Sequence, residues 1–376
     1  MRSQKVIYIL ILALMANAGT AFLTLSPILV GGMVDYLYAT NEQAGLLVAF
    51  HLTGAAIGSF ACMLMAKKIE QRQIILLSVV CMIIGEVVFL FTSMLPGMFL
   101  GRLIAGLGAG AIVAIAAANV VSLKNKNAIY AFLLLSQMMY GFVGASFWQL
   151  ALGSVGYTIT MLSLPFLGIL ILPFIKILPT FVNGGDAEPI SIRLPSIIGI
   201  FALSSLFLHY IANSSEWVYL ERIGVEGGLD VETVSSALGV SMIFGMIGAI
   251  CAIFLGQLKL RFIPIATGIL GIIAGTSMLL TSFTISSYTF AVCIILMMTV
   301  FTIPFYQGFI ADLENGEMMA MLGAGTINIG LAVGPMIGSQ IVSFSGFRTM
   351  LILCIIFFVF SLILISIGLY RQGQSQ

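Results

Sequence analysis

The stretch PTFVNGGDAEPISIRLP, residues 179–195, is the one long polar segment inside a chain that is otherwise dominated by apolar runs. It combines three prolines, two glycines and two carboxylates, a composition typical of a loop and not of a buried helix. Apolar runs long enough to cross a hydrocarbon layer of about 30 Å lie on both sides of it. The stretch therefore predicts a boundary between two membrane-embedded halves.

Composition supports a membrane location for the rest of the chain. Of 376 residues, 60% are hydrophobic and 8% are charged, whereas soluble domains are about 25% charged. A soluble core cannot bury so much apolar surface, so we predict an all-α membrane protein in contact with the lipid bilayer. The net charge of +1 is spread over separate segments, and we expect no nucleic-acid partner.

Short polar or Pro/Gly breaks divide the chain into twelve apolar spans, six on each side of the linker. The predicted spans are 6–33, 43–66, 73–94, 97–122, 128–151, 157–178, 196–219, 232–256, 263–283, 287–309, 318–343 and 347–369. We therefore expect a first six-helix bundle over residues 1–178, a cytoplasmic linker over 179–195 and a second six-helix bundle over 196–376.

The distribution of Lys and Arg predicts the orientation, because basic residues in short loops are retained in the cytoplasm. With the N-terminus inside, only Arg222 and Arg348 lie outside and Arg102 lies within a span. The inner face then carries Arg2, Lys5, Lys67, Lys68, Arg72, Lys124, Lys126, Lys176, Arg193, Lys259, Arg261 and Arg371. We predict a multi-pass protein with both termini in the cytoplasm.

The fourth span contains GRLIAGLGAGA, in which Arg102 is followed by Gly106 and Gly110 at four-residue spacing. Together with the six-plus-six arrangement, this pattern resembles the major facilitator superfamily of secondary transporters over the whole chain. The segment SSEWVYLERIGVEGGLD at the end of span seven resembles a bacterial branch of that family. The resemblance implies two bundles related by pseudo-symmetry and a monomer in the bacterial inner membrane. It also implies that the protein is not an enzyme and that it moves a small molecule by alternating access.

Two family signatures are altered or displaced in this chain. The gate signature between spans two and three reads MLMAKKIEQRQ, which keeps Lys68 and Arg72 but lacks the acid and glycines of the family pattern. The Gly-Pro pattern that drug exporters of the family carry in span five is found in span eleven, as Gly330, Gly334, Pro335 and Gly338. Glycines at this spacing allow close helix packing and Pro335 permits a bend. The pattern favours a gating hinge, with simple small-residue packing as the alternative.

Charged side chains are costly inside a bilayer, about 2.5–3.5 kcal/mol each on insertion scales, so each one needs a partner or a function. Of the fourteen acids, only Glu86 lies deep within a predicted span. A rise of about 1.5 Å per residue puts Glu86 and Arg102 at similar depth on adjacent antiparallel spans. We predict a buried ion pair, which is either structural or coupled to proton transfer, as the resemblance implies for Arg102.

Neutral polar residues on the spans that line the cavity of this family form the candidate substrate site: Asn17, His51, Gln137, Tyr140, His209, Tyr210, Asn213 and Asn328. Amides and rings without a central carboxylate suit an uncharged, zwitterionic or weakly anionic compound. Histidine changes charge near physiological pH, so His51 is also a candidate proton carrier, although a packing role is the alternative.

Glu216 and Trp217, placed near the outer mouth, are candidates for an extracellular gate, with a solvated helix end as the alternative. The chain contains no P-loop and no spacing typical of a metal site, so we expect neither a cofactor nor direct use of ATP. The combined pattern favours proton-coupled efflux of a small organic solute. Uptake or facilitated diffusion of a nutrient, and a sensor that binds without transporting, remain alternatives.

Overall fold

The computed structural model describes residues 2–65, 68–121, 123, 126–178, 195–255, 262–281, 284–313 and 316–375. All regular elements within these ranges are helices. They are α1 (Arg2–Thr24), α2 (Ser26–Leu37), α3 (Asn41–Met65), α4 (Gln71–Phe91), α5 (Leu95–Val121), α6 (Lys126–Ile169), a 3-10 helix (Leu172–Ile177), α7 (Ile197–Glu226), α8 (Val231–Leu255), α9 (Phe262–Met278), α10 (Ile285–Ala311) and α11 (Gly316–Ser375). The predicted linker, apart from Pro195, and the basic residues Lys67, Lys124, Arg193, Lys259 and Arg261 lie outside the described residues.

Helices are found at the positions of all twelve predicted spans. Within the described residues, ten helical segments are long and apolar enough to cross a membrane, and Phe262–Met278 is a shorter apolar helix. The segment Leu322–Arg371 has 50 residues and contains both predicted spans eleven and twelve. The predicted all-α architecture is therefore confirmed, although several span boundaries differ.

Span one was predicted as one helix over 6–33 but is interrupted at Leu25, between α1 and α2. The cause is Pro27, which has no N–H to donate to the carbonyl of Leu23 four residues earlier. The hydroxyl of Ser26 donates to that carbonyl instead, at 2.9 Å. Buried Ser26 thus repairs the hydrogen bond that proline removes.

Spans five and six are two helices that meet at a single non-helical glycine, and so are spans eleven and twelve. Gly156 has φ 80° and ψ 168° inside α6, and Gly346 has φ 76° and ψ 176° inside α11. L-residues with a Cβ rarely adopt this backbone conformation. Gly156 lies in the predicted break 152–156 and Gly346 in the predicted break 344–346, so one glycine makes each turn.

Contacts divide the chain into two compact units. The first contains Met1–Leu37 and Leu46–Asp186, and the second contains Tyr38–Gly45 and Ala187–Gln376. The short segment Tyr38–Gly45 thus packs with the second unit, although we had placed the whole of residues 1–178 in the first bundle. The boundary between the units, between residues 186 and 187, falls within the linker, which lies outside the described residues.

The two units repeat the same internal packing at a constant separation along the chain. A Cβ added at Gly58 would lie 2.0 Å from the carbonyl oxygen of Leu107, and one at Gly248 would lie 2.2 Å from that of Met297. Both members of this contact differ by 190 positions (248 − 58 and 297 − 107). The kink glycines Gly156 and Gly346 also differ by 190 (346 − 156). This register agrees with the parallel repeats known for such two-bundle transporter folds.

Glycines bring α3 and α5 into backbone contact in the first unit. An added Cβ would lie 2.0 Å from the carbonyl oxygen of His51 at Gly106, and 1.9 Å from that of Ala55 at Gly110. Only a residue without a side chain allows helices to approach this closely. This contact holds His51 beside Arg102 and positions the site described next.

Candidate functional site

Glu86 and Arg102 form a buried ion pair in the first unit. Arg102 Nη2 donates to Glu86 Oε1 at 2.6 Å, and the side chain of Arg102 is 0% exposed and that of Glu86 is 3% exposed. The guanidinium also lies over two aromatic rings, with Cζ 3.6 Å from the ring centroid of Phe89 and 4.9 Å from that of Phe22. A buried charge is tolerated only when it is paired in this way. The structure therefore brings the two predicted residues together.

His51 is the third member of this cluster. Its ring stacks on Phe22 with centroids 4.0 Å apart and lies close to Arg102. Its Nδ1 atom is buried and has no hydrogen-bond partner among the residues that the structure describes.

A cavity of about 20 Å³ lies within this cluster and is lined by His51, Glu86 and Arg102 together with apolar residues such as Ala18 and Leu164. A cavity needs about 10–15 Å³ to hold one water molecule, whereas ligand pockets measure about 300–1,000 Å³. In this conformation the cavity has room for a water molecule and not for an organic substrate. The cluster is therefore suited to holding a proton or a water.

The other substrate-site candidates of the first unit do not join this cluster. Asn17 donates from Nδ2 to Ser136 Oγ at 3.2 Å, which connects α1 with α6. Its Oδ1 atom is buried and has no partner among the described residues. Gln137 and Tyr140 lie on the same helix as Ser136 and are partly buried. Asn17 therefore keeps a buried acceptor without a partner, and Gln137 and Tyr140 follow its bonding partner Ser136 along α6.

In the second unit, the candidates lie on α7 and its neighbours. His209 is 1% exposed, lies among the rings of Tyr210, Tyr306 and Phe358, and has no partner for either ring nitrogen within the described ranges. Asn213 donates to Thr299 Oγ1 on α10 at 2.9 Å. Asn328 is partly buried on α11.

Tyr306 belongs to a buried hydroxyl network that the sequence did not indicate. Its hydroxyl lies 2.9 Å from Ser205 Oγ and 2.8 Å from Ser361 Oγ. The two serines are also bonded to each other's backbone carbonyls, at 2.7 and 2.9 Å. This network ties α7, α10 and α11 together one helical turn from His209, so the Ser205 face of α7 is occupied by structural contacts.

The Gly-Pro stretch of span eleven packs directly on α7. A Cβ added at Gly334 would lie 2.0 Å from Ser214 Oγ, and one at Gly330 would lie 2.7 Å from Tyr210 Cβ. Ser215 Oγ donates to the carbonyl of Gly334 at 2.6 Å, next to Pro335. The backbone remains helical through Gly338, and the kink in α11 is at Gly346 instead. The stretch is a close-packed helix contact, and its role as a hinge stays a prediction.

Glu216 was placed among acids at the outer side, but the structure buries it completely. Span seven was predicted to end at residue 219, whereas α7 continues to Glu226. Glu216 is therefore ten residues from the helix end and is 0% exposed. Glu86 is thus not the only acid deep in a helix bundle. Trp217, the other candidate gate residue, is partly buried and has contacts of its own.

The segment Tyr38–Gly45 makes contacts in the second unit that the sequence did not signal. Glu42 accepts hydrogen bonds from Gln340 Nε2 at 3.1 Å and from Ser343 Oγ at 2.7 Å. The hydroxyl of buried Tyr219 donates to the backbone carbonyl of Asn41 at 3.0 Å. Polar residues at helix ends are common in any membrane protein, so nothing in their pattern identifies these partners.

Arg72 of the altered gate signature also has a specific partner. Its Nη2 atom donates to the carbonyls of Lys176 and Leu178 at 2.9 and 3.0 Å, at the end of the 3-10 helix. A cation at the carbonyl end of a helix is favourable, because those groups lack partners within the helix. Arg72 therefore ties span three to the end of span six.

Metal ligation was not predicted, and within the described ranges no group of three or more His, Cys, Asp or Glu side chains is arranged to bind a metal ion.

The helical architecture, the repeat and the buried polar cluster define the protein as a polytopic membrane transporter. A model of the Major Facilitator Superfamily matches residues 9–313. The chain belongs to this family, which confirms the family resemblance and makes the protein a transporter and not an enzyme.

The chain is also similar to curated and solved proteins. The chain is 23% identical over 362 residues to a "Probable sugar efflux transporter" of Pasteurella multocida (strain Pm70), covering 89% of this chain and 85% of that protein. It superposes on a partially occluded inward-open structure of the xylose transporter XylE from E. coli with a TM-score of 0.73. Sequence identity there is 14%, and the match covers 95% of this chain and 98% of the other.

A crystal structure of a D-xylose-proton symporter gives a TM-score of 0.75 at 12% identity, with 96% of each chain covered. At this level of identity, the two solved structures support the fold alone. They leave substrate, direction of transport and the roles of the candidate residues to be proposed.

Proposed function

We propose that the protein is a proton-coupled exporter of a sugar or a similar small polar compound, acting by alternating access. The observation that carries the substrate class is the alignment with the probable sugar efflux transporter, which extends over 89% of this chain. Similarity along almost the full length includes the helices of both units. The proposal therefore does not depend on a single shared motif.

The neutral candidate side chains are compatible with a sugar. Sugars are bound by amides and hydroxyls that exchange hydrogen bonds, with rings that contact the apolar face. Asn17, Gln137 and Tyr140 offer such groups in the first unit, and Tyr210, Asn213 and Asn328 offer them in the second. We propose these six residues, together with His51 and His209, as the substrate-binding set.

Coupling to protons is supported by the cluster of His51, Glu86 and Arg102. It combines a buried carboxylate, its cation and an imidazole with a free nitrogen around a cavity of about 20 Å³. A water in this cavity would have polar groups on several sides. We propose that the cluster senses or transfers a proton during transport.

The direction and membrane orientation are part of the same proposal. The excess of Lys and Arg in the predicted inner segments favours cytoplasmic termini in a bacterial inner membrane. The Gly-Pro stretch, which resembles the exporter signature of the family although it lies in span eleven, favours efflux. Gly330, Gly334, Pro335 and Gly338 are proposed to allow α11 to move against α7.

Reconstitution into liposomes tests the function. Purified protein in vesicles with an acidic lumen is supplied with radiolabelled D-xylose, arabinose, glucose or lactose outside. An exporter that exchanges protons for sugar will accumulate its sugar in the lumen as protons leave. A protonophore abolishes the gradient and is the control for coupling.

The reverse gradient separates the alternatives. Accumulation that requires acid outside identifies a proton symporter and therefore uptake, which overturns the export proposal. Equilibration without accumulation under either gradient identifies facilitated diffusion. Absence of flux for all four sugars, with the protein still folded, removes the support for a sugar substrate.

A further inference from the structure

We propose that Glu216 is a proton-binding site of the second unit and that its carboxyl group is protonated in this conformation. The role of Glu216 in transport rests on the proposed function, whereas the existence of the proton-binding site does not. It adds a carboxyl group to the coupling machinery at a place where the sequence indicated only a surface gate.

The first line of evidence is burial without a charged partner. Three acids are buried among the described residues, and two of them are paired: Glu86 with Arg102 at 2.6 Å, and Glu221 with Arg222 at 2.5 and 2.6 Å. Glu216 is 0% exposed, and neither of its oxygens has a hydrogen-bond partner in the described part of the chain. An isolated buried carboxylate is so costly that such a group takes up a proton instead.

The second line of evidence is the direction of the available hydrogen bond. Thr276 on α9 faces the Glu216 carboxyl, but its hydroxyl proton is already donated to the carbonyl of Ile272 at 2.9 Å. The Thr276 oxygen can still accept a hydrogen bond. A protonated Glu216 can donate to it while the Thr276 hydroxyl keeps its own bond to Ile272. The neighbour is thus compatible with the acid form.

The third line of evidence comes from the 190-residue repeat. The positions equivalent to Glu86, Arg102 and His51 are Thr276, Val292 and Ser241 (86 + 190, 102 + 190 and 51 + 190). The second unit therefore lacks the whole charged cluster of the first. Glu216 on α7 faces the position that corresponds to Glu86, but the position that corresponds to Arg102 is an aliphatic residue. The two units bury acids in related surroundings, one with a countercharge and one without.

The groups around Glu216 do not supply a hidden charge. On α9 there is no titratable side chain, and from the span-twelve part of α11 it is faced by the thiol of Cys354. On α10, Tyr288 donates to the carbonyl of Leu220 and Tyr306 belongs to the serine network. On α8, Glu232 is exposed, and Cys251 is a free exposed cysteine.

The charged and titratable groups on α7 itself and at the beginning of span twelve do not supply a countercharge to Glu216 either. His209 lies two turns away on the same face of α7, and Arg222 is occupied by Glu221. Arg348, at the beginning of span twelve, is exposed. In the transport cycle, the Glu216 carboxylate would take one proton from one side of the membrane and release it to the other, so the gradient acts on a site in each unit.

Infrared spectroscopy tests the site without any substrate. A protonated carboxylic acid has a carbonyl stretching band that shifts on exchange into heavy water. We expect the purified wild-type protein to show this band between about pH 5 and about pH 8, and Glu216→Gln to lose it. Glu232→Gln, which changes an exposed acid in the same unit, is the matched control and should retain the band.

Transport of the sugar identified in the liposome assay tests the role. Glutamine resembles the protonated acid, so Glu216→Gln should fold with an unchanged thermal midpoint and still exchange labelled for unlabelled sugar. The ratio of its transport rates between about pH 5 and about pH 8 should move towards 1, because one of the two proposed proton sites is lost, while that of Glu232→Gln follows the wild type.

Three results would overturn the inference. An absent band in the wild type, or a band that survives in Glu216→Gln, removes the protonated site. A wild-type band that disappears when sodium chloride replaces choline chloride indicates a cation site instead. A lost band with an unchanged pH ratio removes the coupling role. Failure of the proposed sugar transport leaves the infrared result intact, so the two proposals can fail separately.

Discussion

Arg102 Nη2 lies 2.6 Å from Glu86 Oε1, and both side chains are almost completely excluded from solvent. Two spans that are consecutive in the chain are thus joined by one pair of opposite charges inside an apolar bundle. The rings of Phe22 and Phe89 cover the guanidinium, and His51 contacts both its backbone and one of these rings. The stability of the first unit therefore depends on the charge state of this pair, which is part of the candidate proton site.

Removing one partner of this pair should be strongly destabilising. Arg102→Ala leaves Glu86 uncompensated, and we expect a loss of about 3–5 kcal/mol in the free energy of unfolding. Replacing both residues by methionine removes both charges and should recover most of that loss. Chemical unfolding of the purified variants in detergent measures the difference. If Arg102→Ala folds normally and transports with unchanged pH dependence, Arg102 has no role in coupling.

Gly334→Ala tests whether the Gly-Pro stretch is a moving contact. Its Cβ would lie 2.0 Å from Ser214 Oγ and 2.6 Å from the carbonyl oxygen of Ile211, so α11 and α7 must separate. We expect a cost of about 1–3 kcal/mol and a larger relative loss in transport rate per folded molecule. Gly325→Ala is the control, since no other atom lies within 4 Å of its Cβ position. Reduced stability with a normal transport rate would support packing alone.

The kink glycines should be sensitive for a reason other than space. No neighbouring atom lies within 4 Å of a Cβ at Gly156 or Gly346, but both have φ near +80°. Substitution by alanine should therefore cost about 1–3 kcal/mol through backbone strain. Gly153 has equally open space and an ordinary helical backbone, so Gly153→Ala should be neutral or stabilising. Equal melting temperatures for Gly153→Ala and Gly156→Ala would contradict the strain argument.

Asp230 provides a test of pH dependence outside the membrane spans. Its carboxylate accepts hydrogen bonds from the Thr233 hydroxyl at 2.5 Å and from the Thr233 backbone N–H at 2.9 Å, at the beginning of α8. These bonds lower the pKa of Asp230 below its ordinary value of about 3.9. The stabilisation is therefore complete above that ordinary value and is lost as the pH falls through the lower pKa of the folded state.

Asp230→Ala should accordingly melt slightly below the wild type at neutral pH, and the difference should disappear in strong acid. Asp230→Asn keeps a capping side chain and should melt close to the wild type. Because Asp230 does not titrate between about pH 5 and about pH 8, neither variant should alter the pH profile of transport in that range. An altered profile would mean that Asp230 contributes to coupling.

Features that depend on local composition were predictable from the sequence. The number of spans follows from apolar run length, because a hydrocarbon layer has a fixed thickness. The Glu86–Arg102 contact follows from two charges at similar depth on consecutive antiparallel spans. Gly106 and Gly110 lie at the spacing that allows close helix contact, and the structure places them against the backbone of α3.

Features that depend on the packing of distant segments were not predictable. Glu216 was placed at a helix end because the apolar run becomes more polar after residue 219, yet α7 continues for another seven residues. Ser205, Tyr306 and Ser361 are separated by 55 to 156 positions and meet only in the folded bundle. Glu42 is likewise 298 positions from Gln340.

The sequence by itself determined that this protein is a twelve-span helical transporter with one ion pair in its first half. That information lies in apolar runs and in residue spacings that are no longer than one span. Such local features determine directly which segments insert into the bilayer. Only the tertiary structure decided which buried polar groups have partners. Glu86 has an arginine and Glu216 has none, because the identity of a side chain's neighbour depends on helix rotation and register, which are determined by packing between segments far apart in the chain.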